Sequence, residues 1–147
     1  IRKLVECVAK GGNVILNVGP DARGRFPEES VNILEHIGQW MERNGESIYG
    51  CGNADRPKPD WGWWTAKGNK LYAHVLEAPV GSIALPGLGG GKIKRMRLLH
   101  DGSEIRENQA WNTKLFSDYA FVNFAEPAEL TYPLPDEDDT VIEIELN

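Results

Sequence analysis

The sequence predicts an α+β chain in two parts: a helix-strand-helix piece of an α/β layer over residues 1–50, then an antiparallel β-sandwich over residues 70–147. Three observations predict it. Residues 13–18, Asn-Val-Ile-Leu-Asn-Val, are almost wholly apolar, and Gly11-Gly12 opens and Gly19-Pro20 stops the run. A strand that is apolar on both faces must be covered on both, as in a parallel sheet flanked by helices. Helical periodicity lies on either side of this run, and from residue 70 onward the period changes to two. Short alternating strands separated by turn signals are the pattern of two packed antiparallel sheets.

In chain order, Ile1, Leu4, Val5 and Val8 recur at helical spacing, and Gly11-Gly12 supplies a left-handed stop. A second helix opens at Pro27-Glu28-Glu29, with proline at its first position and negative charge at the positive end of the helix dipole. It carries Ile33, Leu34, Ile37, Trp40 and Met41 as one stripe and ends at Asn44-Gly45. Residues 51–69 read as a linker, punctuated by Pro57-Lys58-Pro59. Residues 70–76 then alternate, with Leu71, Ala73 and Val75 on one face and Tyr72, His74 and Leu76 on the other. Further strands are expected at 82–85, 93–100, 103–106, 120–124 and 140–146, and Asp101-Gly102 marks a hairpin turn. In the last strand Ile142, Ile144 and Leu146 face one way and Glu143 and Glu145 the other, and the acidic run before it, residues 136–139, reads as a solvated turn.

Composition narrows the function. Apolar residues make up 41% and charged residues 26% of the chain, the balance of a globular protein with one modest core. A net charge of −6 argues against a nucleic-acid or anionic-membrane partner. No apolar run approaches the roughly 20 residues of a membrane span. Cys7 and Cys51 have no CxxC or Cys/His spacing, so no metal site is expected, and a disulfide between them stays open. The run Gly87-Leu88-Gly89-Gly90-Gly91-Lys92-Ile93 lacks the Ser or Thr of a phosphate loop and leads into a strand, so it reads as a connection. His36, His74 and His100 stand in different elements and read as surface or packing residues. No cofactor is called for.

Several motifs do carry a resemblance. Residues 12–24, Gly-Asn-Val-Ile-Leu-Asn-Val-Gly-Pro-Asp-Ala-Arg-Gly, then Pro27-Glu28-Glu29, Ile37-Gly38-Gln39-Trp40 and residues 44–50, Asn-Gly-Glu-Ser-Ile-Tyr-Gly, closely resemble the end of the catalytic domain in glycoside hydrolase family 29 α-L-fucosidases. Residues 64–72 and 141–146 resemble that family's C-terminal β-domain. The resemblance implies that residues 1–50 are the closing part of a (β/α) barrel, with 13–18 as its last strand. A whole barrel takes about 250 residues, against 147 here, so the rest of it is expected outside this chain. Family members hydrolyse terminal α-linked L-fucose with retention, using a carboxylate nucleophile and an acid/base carboxyl. Both come from positions upstream of the matched segment, so no catalytic residue is expected here. Asp21 reads as a loop residue, Glu28 and Glu29 as helix-dipole partners, and Asn17 as support for the active-site floor.

The resemblance also implies fucosylated glycans as substrates of a parent enzyme, an exported parent, and a β-domain packed on the missing barrel. Apolar faces left uncovered around Val14, Ile15 and Leu16 are expected to be hidden by repacking or self-association. The remaining candidates are Trp61, Trp63 and Trp64 in Asp60-Trp61-Gly62-Trp63-Trp64. Indoles stack on sugar rings and also anchor interfaces. Their place where one domain hands over to the next favours packing. The rival is a carbohydrate-binding module that grips glycan through this cluster or through Trp111.

Overall fold

The computed structural model describes residues 1–109, 114–124 and 130–147. Helix α1 spans Arg2–Ala9 and α2 spans Glu28–Asn44, continued by a short 3-10 turn at Gly45–Ser47. Among the described residues eight strands follow: β1 Gly52–Asn53, β2 Gly62–Lys67, β3 Lys70–Val75, β4 Ile83–Pro86, β5 Ile93–Leu98, β6 Glu104–Ile105, β7 Tyr119–Val122 and β8 Thr140–Leu146. They form a six-stranded sheet in the order β1-β2-β3-β8-β5-β6 and a two-stranded sheet of β4 and β7, every pairing antiparallel. The alternation read from residues 70–76 and 140–146 is the alternation observed.

The large sheet is covered on both faces. Leu71, Ala73 and Val75 of β3 and Ile142 and Ile144 of β8 meet Ile83, Leu85 and Val122 of the small sheet in one apolar core. On the opposite face Tyr72 and Val141 meet Val5 and Val8 of α1, Trp40 of α2 and Ile48 in a second core. The order is helices, sheet, sheet. β3 is therefore buried on both sides, and any polar group on it must find a partner inside the protein.

Two expectations are corrected. Residues 13–18 are in no strand; Ile15 is 88% and Leu16 60% exposed. A strand is held by its neighbours, and among the described residues none lies alongside this run to accept its backbone hydrogen bonds. Nor has the run repacked onto the sandwich. Within residues 51–69, read as a linker, β1 and β2 join the sheet, because Gly62, Trp64 and Ala66 pair with Val75, Ala73 and Leu71. Gly62 permits this closeness: a Cβ there would overlap the carbonyl oxygen of His74. Asp101-Gly102 does turn the β5–β6 hairpin, with Gly102 at φ +76°.

Candidate functional site

The strand β2 divides the tryptophans between the two faces of the sheet. Trp64 sits cross-strand from Ala73 and points into the inter-sheet core, where it meets Trp61 edge to face with ring centres 4.9 Å apart. The Trp61 indole N–H donates to the Ala84 carbonyl at 2.9 Å. With 6% and 3% of their surfaces exposed, neither Trp61 nor Trp64 offers a ring face to a ligand. Trp63, cross-strand from His74, is half-buried against the helix-side core, and the ammonium groups of Lys10 and Lys58 each lie 5.1 Å from its ring centre. Such cation–π contacts satisfy the ring on the protein's own charges. The edges of Trp61 and Trp63 do come together on one pocket of about 290 Å³, beside Arg2, Lys58, Asp60 and Glu77. Trp111 lies outside the described residues.

The carboxylates nearest the expected mouth of a barrel are already engaged or stand alone. Asp21 accepts the backbone N–H groups of Arg23 at 2.8 Å and Arg25 at 2.9 Å, and these bonds, that of Arg25 above all, hold its carboxyl below the usual range. It closes its own loop. Glu28 and Glu29 occupy the first turn of α2, as expected. Among the described residues no group of three or more His, Cys, Asp or Glu is placed to hold a metal ion, and no helix is long and apolar enough to cross a membrane. Cys7 and Cys51 are both free thiols.

The most densely connected polar groups lie between the helices and the sheet. His74 of β3 has no exposed surface, and neither have Thr65, Ser47 and Asp139. The Oδ2 of Asp139 is 2.6 Å from His74 Nδ1, His74 Nε2 is 3.0 Å from Thr65 Oγ1, and the Thr65 hydroxyl donates to the Ser47 carbonyl at 2.7 Å. The Trp40 indole N–H of α2 reaches the backbone carbonyl of Asp139 at 3.4 Å. Burial pushes the Asp139 carboxyl up, against the pull of His74. This overturns the reading of residues 136–139 as wholly solvated: Asp139 turns inward, because the imidazole on a doubly covered strand requires a partner. The sequence held a signal for it. A histidine inside Leu71-Tyr72-Ala73-His74-Val75-Leu76, apolar to both sides, calls for a buried acceptor.

A second, half-exposed group lies along the same face. Glu46 of the 3-10 turn accepts from Lys70 at 2.6 Å and from the Tyr72 hydroxyl at 2.9 Å. Arg97 of β5 donates to Glu143 of β8 at 2.7 Å. The Lys70 ammonium holds the Glu46 carboxyl below its usual range, while burial and then Glu46 push the Tyr72 phenol up. Together the two groups fasten α2 and its 3-10 turn to four strands. Between the helices and the loop before β8, Ile1, Ile33 and Ile37 line an open cleft of about 580 Å³ with His36 and Asp138, whose side chains meet at 2.6 Å.

Comparison with known proteins places this architecture. The profile of a family described as alpha-L-fucosidase matches residues 1–46. An α-L-fucosidase of Dictyostelium discoideum is 44% identical over 80 residues, covering 52% of this chain and 17% of that protein. The solved structure of α-L-fucosidase isoenzyme 1 from Paenibacillus thiaminolyticus superimposes with a TM-score of 0.91 at 51% identity, covering 99% of this chain and 33% of the other. A family 29 α-L-fucosidase from Bacteroides thetaiotaomicron, solved as a trapped covalent intermediate, gives a TM-score of 0.79 at 27% identity, covering 99% of this chain and 31% of its own. The chain thus spans about a third of the length of these solved structures and less than a fifth of the Dictyostelium protein.

Proposed function

We propose that the chain, a portion of a glycoside hydrolase family 29 α-L-fucosidase whose family profile matches residues 1–46, carries the end of the catalytic domain over residues 1–50 and a β-domain after it. In that setting the parent enzyme releases terminal α-L-fucose from glycans with retention, and this portion serves it as a non-catalytic brace. Residues 1–50 contribute two helices to the end of the barrel, residues 13–18, unpaired here, take their strand partners from the rest of it, and the sandwich grips the two helices from outside. The observation that carries this reading is the shared helix-side core. Val5, Val8 and Trp40 of the helices are buried on Tyr72 and Val141 of the sheet. Outside that core Ile15 and Leu16 are bare, and an open cleft runs along Ile33 and Ile37 of α2. Helices packed on the sheet, with apolar side chains beside them left bare, fit a surface that the rest of the barrel covers.

Retaining hydrolysis needs two carboxyl groups about 5 to 5.5 Å apart flanking the scissile bond. Asp21 is closed into its own loop, and the purified chain is expected to release no 4-nitrophenol from the corresponding α-L-fucoside. Its bare apolar layer is expected to make it self-associate, with the sedimenting species shrinking toward monomer in Ile15→Glu. Turnover above the no-protein control, or a monodisperse monomer at high concentration, would count against the brace.

A second reading rests on the pocket bordered by Trp61 and Trp63 beside Asp60 and Glu77. Mixed aromatic and polar lining suits a sugar, and a pocket there would make the β-domain a glycan-binding module. Titration with fucosylated oligosaccharides, followed by tryptophan fluorescence, separates the two. Saturable quenching abolished in Trp63→Ala supports the module, and a flat titration supports the brace.

A further inference from the structure

We propose that Asp139, His74 and Thr65 form a latch between the helices and the sheet whose closed state requires a shared proton. The inference rests on the reading of the β-domain as a brace, and it adds what controls the grip.

The geometry fixes the proton count. Three contacts run in series: Asp139 Oδ2 to His74 Nδ1 at 2.6 Å, His74 Nε2 to Thr65 Oγ1 at 3.0 Å, and Thr65 Oγ1 to the Ser47 carbonyl oxygen at 2.7 Å. Each needs one hydrogen. The Ser47 carbonyl can only accept, so the single Thr65 hydroxyl proton is spent there, and Thr65 must accept from His74. Nε2 therefore carries a proton. The remaining contact needs another, held by Asp139 as an acid or by Nδ1 beside a carboxylate. Either way the pair keeps two protons and is electrically neutral. The second oxygen, Asp139 Oδ1, is buried with no hydrogen-bond partner among the described residues, which a carboxylic acid tolerates better than a carboxylate does. The acid form, donating to a neutral imidazole, follows.

The charged groups facing the pair do not supply a substitute. From α1, Arg2 attracts the carboxylate, but its guanidinium donates to the Leu76 carbonyl at 2.7 Å and sits 3.6 Å from Glu77. From α2, Arg43 lies 3.7 Å from Asp136 and His36 2.6 Å from Asp138. Asp136 itself repels a charge on Asp139. The 3-10 turn presents Ser47 toward the pair, while its Glu46 is held by Lys70 and Tyr72. On the sheet, Glu143 is paired with Arg97. Loss of the shared proton would leave a negative charge with no surface exposure and, among the described residues, no lysine or arginine bound to it.

In the unfolded chain the same two residues hold two protons between about pH 4 and 6.5, one above that window and three below it. The folded pair holds two throughout. Folding therefore takes up a proton above about pH 6.5, and stability falls as pH rises. Below about pH 4 the unfolded chain binds the extra proton and stability falls again. The latch is firmest in mildly acidic water and loosens in alkali.

The test is equilibrium urea unfolding of the whole chain from pH 5 to 9, beside Asp139→Asn. The asparagine amide donates to Nδ1 as the acid does and has no proton to lose. The unfolding constant of the natural chain, divided by that of Asp139→Asn, is expected to rise about tenfold per pH unit above about pH 6.5. A ratio flat from pH 6 to 9 would overturn the latch. Should Asp139→Asn not fold, the natural chain alone decides. A low-field proton resonance coupled to His74 Nδ1 and persisting at pH 8 supports the shared proton. An imidazole that titrates near its free value of about 6.5 while the chain stays folded refutes it. Neither outcome bears on whether the chain hydrolyses a fucoside or self-associates, so failure of the latch and failure of the brace are read separately.

Discussion

At the two central strands, β3 and β8, both faces of the six-stranded sheet are buried, but by different chemistry. Toward the small sheet, Leu71, Ala73, Val75, Ile142 and Ile144 meet only apolar neighbours. Toward the helices, the alternate residues of the same two strands are Tyr72, His74, Val141 and Glu143, and three of those four hold their places through directed hydrogen bonds. Dispersion and hydrophobic burial tolerate small shifts of register and rotamer, because no single contact matters much. A buried hydrogen-bond series does not, because each unmatched group is left desolvated. The apolar face makes the sandwich, and the polar face fixes where the helices sit on it.

That contrast predicts unequal sensitivity. His74→Ala removes the centre of the series and leaves the neutral Asp139 acid and the Thr65 hydroxyl buried without that partner, at about 1–3 kcal/mol for each group left unsatisfied. Urea unfolding at pH 7 is expected to show a loss of that size, accompanied by weaker packing around Trp40, whose indole reaches the Asp139 backbone. A loss of less than about 1 kcal/mol, comparable to a surface substitution, would mean that the polar face is not directing the helices. On the apolar face, Ile142→Val removes one methylene from an equally buried site and should cost about 0.5–1.5 kcal/mol. An effect matching that of His74→Ala would erase the distinction between the faces.

The apolar face was the legible one. Alternation in residues 70–76 and 140–146 placed every inward residue correctly, because period two and an amphipathic strand are a local code. Position 139 shows what such a code misses. Asp139 closes an acidic run that has the composition of a solvated turn, and only the pairing of β3 with β8, in which Val75 meets Thr140, carries it against His74. That partnership spans 65 residues of sequence and leaves no local trace. The opposite error occurred at residues 13–18. Their composition is that of a doubly covered strand, yet the run has neither pairing nor cover here, because the partners that would supply both are not among the described residues. The tryptophan triplet was half legible. Its aromatic content was plain, but which indoles are shut away depended on β2 joining the sheet at Gly62.

The smallest effect is expected where the polar face reaches water. Glu46 keeps 42% of its side chain exposed while accepting from Lys70 and Tyr72. Solvent and salt screen such a pair, so Glu46→Gln should cost no more than about 1 kcal/mol at pH 7. The sign of its pH dependence is nevertheless fixed. Lys70 holds the folded carboxyl below its usual value, so the contribution is present above the unfolded pKa of about 4.3 and is lost as pH falls through the lower, folded value. The difference in stability between the natural chain and Glu46→Gln should therefore shrink on acidification below about pH 4.3 and should shrink also in high salt at pH 7. The His74–Asp139 pair, read as the difference between the natural chain and Asp139→Asn, should shrink instead as pH rises. Buried from solvent, it is little screened by salt, and it weakens on the alkaline side. Opposite pH limbs from two groups on one sheet face, one wet and one dry, would establish that burial and not residue type separates them. A Glu46→Gln difference that grew on acidification would show that this carboxylate is not held by Lys70 in solution.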